Sequence, residues 1–270
     1  MEIARKIASG AVTAILSPLA GHDPLLSLLP LSILLAIGML LIFRRVSNPQ
    51  AIAKMKGRLM AHLYEMRLFT DEPALIWKAQ TGLLTANVRY IGLLLAPVLV
   101  LSIPMILVLS QLECFYGHAP LAPQREAIVT VQLKNPAPGP APVLQAPQGI
   151  AVETEGVRVN RGRQVSWRIR AERPVTGRLR IVFPDQTVEK SVDAGAGPRY
   201  VSDRRVSSLA DLIWHPAESL LPPGRVDWVE IRYPEATIQA LGMELHWLVW
   251  VFLFSMIAAL LLKRRFGVVF

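Results

Sequence analysis

The chain has 270 residues, is 52% hydrophobic with a mean hydropathy of +0.38, and carries a formal net charge of +9. That composition excludes a single water-soluble domain of ordinary make-up. One cysteine, Cys114, excludes an intrachain disulfide framework, and a basic excess placed beside apolar runs excludes a nucleic-acid footprint, so direct DNA binding is not expected.

Residues 1–21 read MEIARKIASGAVTAILSPLAG. Arg5 and Lys6 before an apolar run suit a signal peptide, but Ser9, Gly10 and Thr13 interrupt the run and no small-x-small cleavage site precedes His22. Ile3, Ile7, Ala11, Ala14 and Ile15 fall near helical spacing, which predicts an amphipathic helix on the outer membrane surface. Residues 22–112 then form the first part of a membrane core. A helix needs about 20 apolar residues to cross a bilayer, and Leu25–Phe43 supplies a first span, set up by Pro24 and carrying Pro30 near its outer end. Ser27 and Ser32 are its only polar side chains before Arg44 and Arg45.

The sequence Val-Ser-Asn-Pro after Arg45 stops one helix and restarts another. Ile52, Met55, Leu59, His62, Met66 and Phe69 step by three and four, a heptad-like seam with Lys54, Lys56, Arg58 and Arg67 away from it. His62 reads as a packing residue, since no second metal ligand lies near it. Thr70 or Asp71 as N-cap, Glu72 and Pro73 start the next helix, whose inward residues are Ile76, Ala79, Leu83 and Leu84. With about four linking residues the two helices pair antiparallel, a hairpin over 50–87. The second helix runs on into a span at 90–110, where Pro97 and Pro104 each remove a helix hydrogen bond and imply a kinked or locally opened helix facing protein or water.

From Pro120 the pattern changes to that of an antiparallel β-sandwich over 120–238. Prolines mark its turns, and seven strand-like runs are Ala127–Leu133, Ile150–Val152, Val157–Val159, Gln164–Ile169, Gly177–Phe183, Thr187–Val192 and Val226–Tyr233. In the fourth, Val165, Trp167 and Ile169 point one way while Ser166, Arg168 and Arg170 point the other; Leu179, Ile181 and Phe183 repeat the alternation. Arg158, Arg161, Arg163, Arg168 and Arg170 read as a solvated face or a basic face toward headgroups or an acidic partner. A short helix is expected within Ser207–Leu220, with Leu209, Leu212 and Ile213 inward and Ser208 or Asp211 near its start. Trp228 and Tyr233 are expected in the strand core, and Trp247 and Trp250 as interfacial anchors of a third span, Leu245–Leu262, within the closing segment 243–270.

Charge sets the direction. Segment 44–89 carries eight Lys/Arg against three Asp/Glu, and Lys263, Arg264 and Arg265 follow the third span, whereas 111–241 is nearly balanced with 16 basic and 14 acidic residues. The positive-inside rule then places the hairpin and C-terminus in the cytoplasm and the N-terminus and β-domain outside, a multi-pass protein of the inner (plasma) membrane. No Gly-rich phosphate loop, paired cysteine, His-Glu-x-x-His or Gly-x-Ser-x-Gly occurs. Neither catalytic residues nor a cofactor nor a metal site is therefore expected, although His118 and His215 are expected near the acidic Glu113 and Glu218.

This layout resembles the YidC/Oxa/Alb membrane-insertase superfamily, with its archaeal YidC-like and EMC, GET and TMCO relatives. The resemblance covers residues 1–112 and the final span. It is carried by Lys54-Met-Lys-Gly-Arg-Leu-Met-Ala-His-Leu-Tyr-Glu-Met-Arg, by the helix that follows, and by Leu95-Ala-Pro-Val-Leu-Val-Leu-Ser-Ile-Pro-Met. It implies an insertase or chaperone of membrane proteins with a cytoplasm-open groove, whose partners are membrane lipids, nascent membrane proteins, and the ribosome or translocon. It assigns Arg44, Arg45, Arg89 and Ser102 to the groove and its cytoplasmic edge, and Lys54, Lys56 and Arg58 to ribosome or partner docking. Two departures stand out: no Lys or Arg lies in mid-span, and the β-domain falls between the second and third spans. The competing reading is a non-catalytic receptor or assembly subunit, anchored by its spans, whose β-sandwich binds an extracytoplasmic protein partner; a third is a subunit of a larger membrane complex docked through the hairpin.

Overall fold

The computed structural model describes residues 24–68, 72–136, 141–197, 199–240 and 242–266. The surface helix expected over 1–21 and the cap expected at Thr70 or Asp71 lie outside them. Three helices come first: α1 (Pro24–Val46), α2 (Pro49–Leu68) and α3 (Pro73–Tyr116). Seven strands follow, β1 (Glu126–Leu133), β2 (Val143–Gln145), β3 (Ile150–Val152), β4 (Val157–Val159), β5 (Gln164–Ala171), β6 (Val175–Val182) and β7 (Thr187–Ala194). Then come β8 (Arg204–Val206), α4 (Leu209–Trp214), β9 (Val226–Ile231), β10 (Thr237–Ala240), β11 (Met243–His246) and α5 (Trp247–Leu262). Two compact units divide the chain: one takes the chain up to Leu29 with Ile106–Trp250, the other Pro30–Met105 with Val251 onward.

Helices α1 and α3 are 23 and 44 residues long, both long and apolar enough to cross a membrane. Pro24 opens α1 with its φ already helical, and Arg44 and Arg45 complement the dipole in its last turn. Asn48 caps the next helix, its Oδ1 accepting from the Ala51 N–H at 3.0 Å, and Pro49 occupies the first helical position. Helix α3 passes through both Pro97 and Pro104 without interruption. Hairpin arm and apolar run therefore share one continuous helix of 44 residues. Helix α5 has 16 residues and is shorter than the span expected at Leu245–Leu262. Leu245 and His246 instead close a β-hairpin, paired with Ile238 and Thr237.

The seam of α2 follows its predicted spacing. Ala51, Ile52, Met55, Leu59, His62 and Met66 are half-buried and every other described residue of the helix is exposed. On α3 the expected inward set holds except at one position: Ala79 is buried and Ile76 and Leu83 half-buried, while Leu84 is exposed and Ala86, one turn beyond Leu83, is buried. Small residues at 79, 82 and 86 let the two backbones approach, which a leucine at the seam would prevent.

The β unit is two antiparallel sheets on one apolar core. The larger runs β3-β5-β1-β9-β8, with β4 also on β5; the smaller runs β2-β6-β7. Strict alternation in β1 buries Ala127, Val129, Val131 and Leu133, and these meet Leu179 and Ile181 of β6 in one core cluster. On the solvated face Arg168 and Arg170 pair with Glu126 of β1 at 3.6 and 3.4 Å, and Arg170 also with Glu153, so that part of the arginine-rich face is neutralised by neighbours. Tyr233 is buried as expected, but Trp228 is half-buried with the Arg204 guanidinium 4.6 Å from its ring centre. In α4, Ser208 caps the first turn, accepting from Ala210 and Asp211; Leu209 and Ile213 face outward, contrary to the amphipathic expectation, and only Leu212 is half-buried.

The outer edge of β7 is closed by side chains rather than by another strand. Glu218 accepts from the Ser191 N–H at 3.2 Å, Tyr233 Oη from the Asp193 N–H at 3.0 Å, and Arg205 donates to the Glu189 carbonyl at 2.6 Å. These three residues alternate on the side away from β6, so each satisfies a backbone group that an open edge would leave available for aggregation. Lys190, fully buried, lies behind them. Its ammonium donates to Glu218 Oε1 (2.6 Å), the Ser202 carbonyl (2.6 Å) and Ser202 Oγ (2.8 Å). Burial raises Glu218, but the charge and hydrogen bond of Lys190, with those of Ser202 and Ser191, outweigh it and hold the carboxyl below the ordinary value. Burial lowers Lys190 against the opposing charge of Glu218.

His215 pairs with Asp203 at 3.2 Å, not with Glu218, while His118 Nδ1 lies 3.9 Å from Glu113. Burial raises Asp203, but the hydrogen bond and charge of His215, helped by His118, bring its carboxyl down to about 2. A carboxyl depressed in the folded state stabilises above its unfolded value, near 3.8, and loses that contribution as pH falls through the folded value. We therefore expect roughly 2 kcal/mol of stability to disappear between about pH 4 and about pH 2. Unfolding titrations across that window should show the loss in the wild type and a smaller one in Asp203→Asn.

Helix ends are tied to the β-domain within the same unit. Tyr116 Oη donates to Ser27 Oγ (2.6 Å), Tyr200 Oη to Gln111 Oε1 (2.8 Å) and the Val201 N–H to the Cys114 carbonyl (2.7 Å). Trp247 Nε1 donates to Glu113 Oε2 (3.0 Å) and Trp250 Nε1 to the Ile238 carbonyl (3.2 Å). Both tryptophans are fully buried. They are not the interfacial anchors expected, because the β10–β11 hairpin and the end of α3 take up their polar edges.

Candidate functional site

The α2–α3 hairpin encloses a cleft of about 600 Å³. One wall is the α2 stripe Met55, Arg58, His62 and Glu65, at steps of three, four and three; the other is the α3 stripe Lys78, Gly82, Thr85 and Arg89, at steps of four, three and four. Each set lies on one helix face. Ala79 and Ala86 form the floor. A side chain at Gly82 would bring its Cβ within 2.7 Å of His62 Cε1, so the ring packs directly on the α3 backbone.

The cleft is cationic. Arg58, Lys78 and Arg89 line it with a single carboxylate, Glu65, and that group sits 2.9 Å from His62 Nδ1. Among the described residues none of the three cations makes an ion pair. The hydroxyls of Thr81 and Thr85 donate to their own helix, at the carbonyls of Lys78 (2.9 Å) and Thr81 (2.8 Å). The groups left to bind a ligand are therefore positive, and the chemistry of the site is recognition of an anion. Among the described residues no group of three His, Cys, Asp or Glu side chains could hold a metal ion.

The structure divides the sequence-predicted residues. Arg58 and Arg89 come together across the cleft. Lys54 and Lys56, grouped with Arg58 by sequence, are exposed on α2 outside it. Arg44 and Arg45 are exposed in the last turn of α1. Ser102 is half-buried, its hydroxyl donating to the Leu99 carbonyl at 2.8 Å. Sequence reading missed Lys78, Thr85 and the His62–Gly82 contact. The signal was the 78-82-85-89 spacing, masked by the stronger apolar periodicity of the same helix.

No family model matches this chain, and neither the curated proteins nor the solved structures give a match. The functional reading rests on the residues themselves.

Proposed function

We infer that this protein assists the insertion or folding of membrane proteins, with α1, α3 and α5 as three spans, the hairpin in the cytoplasm and the β-domain outside. Arg44, Arg45 and Lys263–Arg265 support that direction through the positive-inside rule. The observation that carries the reading is the cationic cleft built on a helix that continues without a break into an apolar run. Moving a polar segment into a bilayer is costly. A cation at the mouth of a span can hold the acidic end of a client while its apolar part enters beside Ser102. The exposed Lys54 and Lys56 are left for docking a ribosome or another cytoplasmic partner.

The test is insertion of a client with an acidic leading segment into proteoliposomes holding the full chain, with a photo-crosslinker placed in turn at position 102 and on the β-domain. Wild type should crosslink to the client. Arg89→Glu, by removing one charge-assisted contact and adding repulsion, should lower the insertion rate about tenfold. Crosslinks confined to the β-domain, with Arg89→Glu silent, would overturn the insertase reading and favour the anchored receptor.

A further inference from the structure

We propose that the hairpin cleft holds the phosphate headgroup of an anionic phospholipid, with an acyl chain laid along α3. The proposal rests on the membrane placement given above but not on any client. Two observations carry it. The first is charge: Arg58, Lys78 and Arg89 face one cleft with only Glu65 opposing them, and Glu65 is engaged by His62. Two of the cations are arginines, whose planar forks match phosphate oxygens.

The second is what lies in line with those cations. The stripe Lys78, Gly82, Thr85, Arg89 continues at the same spacing through Gly92, Ala96, Val100 and Ile103. Arg89 is the last charged residue before this track. All four following residues are exposed, Val100 and Ile103 at 45% and 66%. A Cβ built at Gly92 meets nothing within 4 Å. A cation cluster that opens onto a shallow apolar track matches a molecule with a phosphate at one end and a hydrocarbon chain at the other. A purely acidic peptide, with no apolar part, would use the cations and leave the track without a contact. The headgroup level also falls where α3 passes from polar to apolar sequence, which is where a bilayer interface would cross it.

The experiment uses the full-length protein, purified in neutral detergent and titrated with phosphatidylglycerol, with phosphatidylcholine, and with soluble glycerol phosphate; bound lipid is counted by native mass spectrometry with no client present. Wild type should retain one phosphatidylglycerol and bind it at least tenfold more tightly than phosphatidylcholine or glycerol phosphate. Arg58→Gln/Lys78→Gln/Arg89→Gln should lose that preference, while Arg67→Gln, a hairpin cation outside the cleft, should keep it. Gly92→Leu/Ala96→Leu, which leaves every charge in place and fills the track, should weaken the lipid at least tenfold. Equal binding of glycerol phosphate and lipid would mean a free-anion site and overturn the proposal. So would an unchanged preference in the triple variant, or displacement of the bound lipid by an acidic peptide at equal concentration. Because retention is read without a client, lipid loss with insertion intact, or the reverse, separates this proposal from the insertase reading.

Discussion

Replacing Lys190 by methionine should destabilise the β-domain by about 3–5 kcal/mol. The side chain is fully buried and its ammonium meets four acceptors, three of them within 2.8 Å. Methionine fills much of the same volume, so the loss is electrostatic: Glu218, 17% exposed, is left ionised with its principal counter-charge gone. It must then hold a charge in a poor medium or take up a proton, and either is costly. The companion Lys190→Met/Glu218→Leu removes both charges and should recover part of the loss. Recovery stays incomplete, because Glu218 also accepts from the Ser191 N–H and from the hydroxyls of Ser191 and Ser202, and leucine leaves those donors without it. Chemical denaturation of the full chain in detergent, followed by tryptophan fluorescence, gives both numbers. A single-variant loss below about 1 kcal/mol would mean that water reaches the pair and that the network is not the clamp described.

Trp247→Ala should be nearly as damaging, about 3–5 kcal/mol. The indole is fully buried, its ring centre 6.2 Å from that of Tyr116, and its N–H is held by Glu113. Alanine leaves a cavity where the start of α5 meets the end of α3. Trp247→Phe separates the contributions: it keeps most of the ring and loses only the hydrogen bond, for which about 1 kcal/mol is expected. Chemical denaturation of the full chain in detergent, followed by circular dichroism, gives both numbers. A Trp247→Ala loss no larger than that of Trp247→Phe would show that the neighbouring side chains collapse into the space.

Much of the fold is legible where one physical signal acts alone. The period-two pattern of β1, β5 and β6 gives strands, their inward faces and a two-sheet core. The three-and-four spacing of α2 gives its half-buried face almost residue for residue. The signal fails where two compete. Leu245 and His246 adjoin an apolar run and read as its start, yet backbone pairing with Thr237 and Ile238 claims them for a strand. β2 and β8 are three residues long, too short for a period to register. Lys190 occupies an inward position between Val188 and Val192. Alternation alone points it inward, but a lysine is read as exposed unless its partner is known, and Glu218 comes from 28 residues further on. The cleft is the same case: Arg58 and Arg89 stand out as charges, but only the folded hairpin reveals that Gly82 and the two alanines open a space between them.

The ties made by Tyr116 and Trp247 join residues far apart along the chain: Ser27 and Tyr116 are 89 residues apart, Glu113 and Trp247 134 apart. Such contacts cost loop-closure entropy before they return anything. These polar ties therefore belong to the last step in the assembly of this unit, formed only once the segments between them have folded.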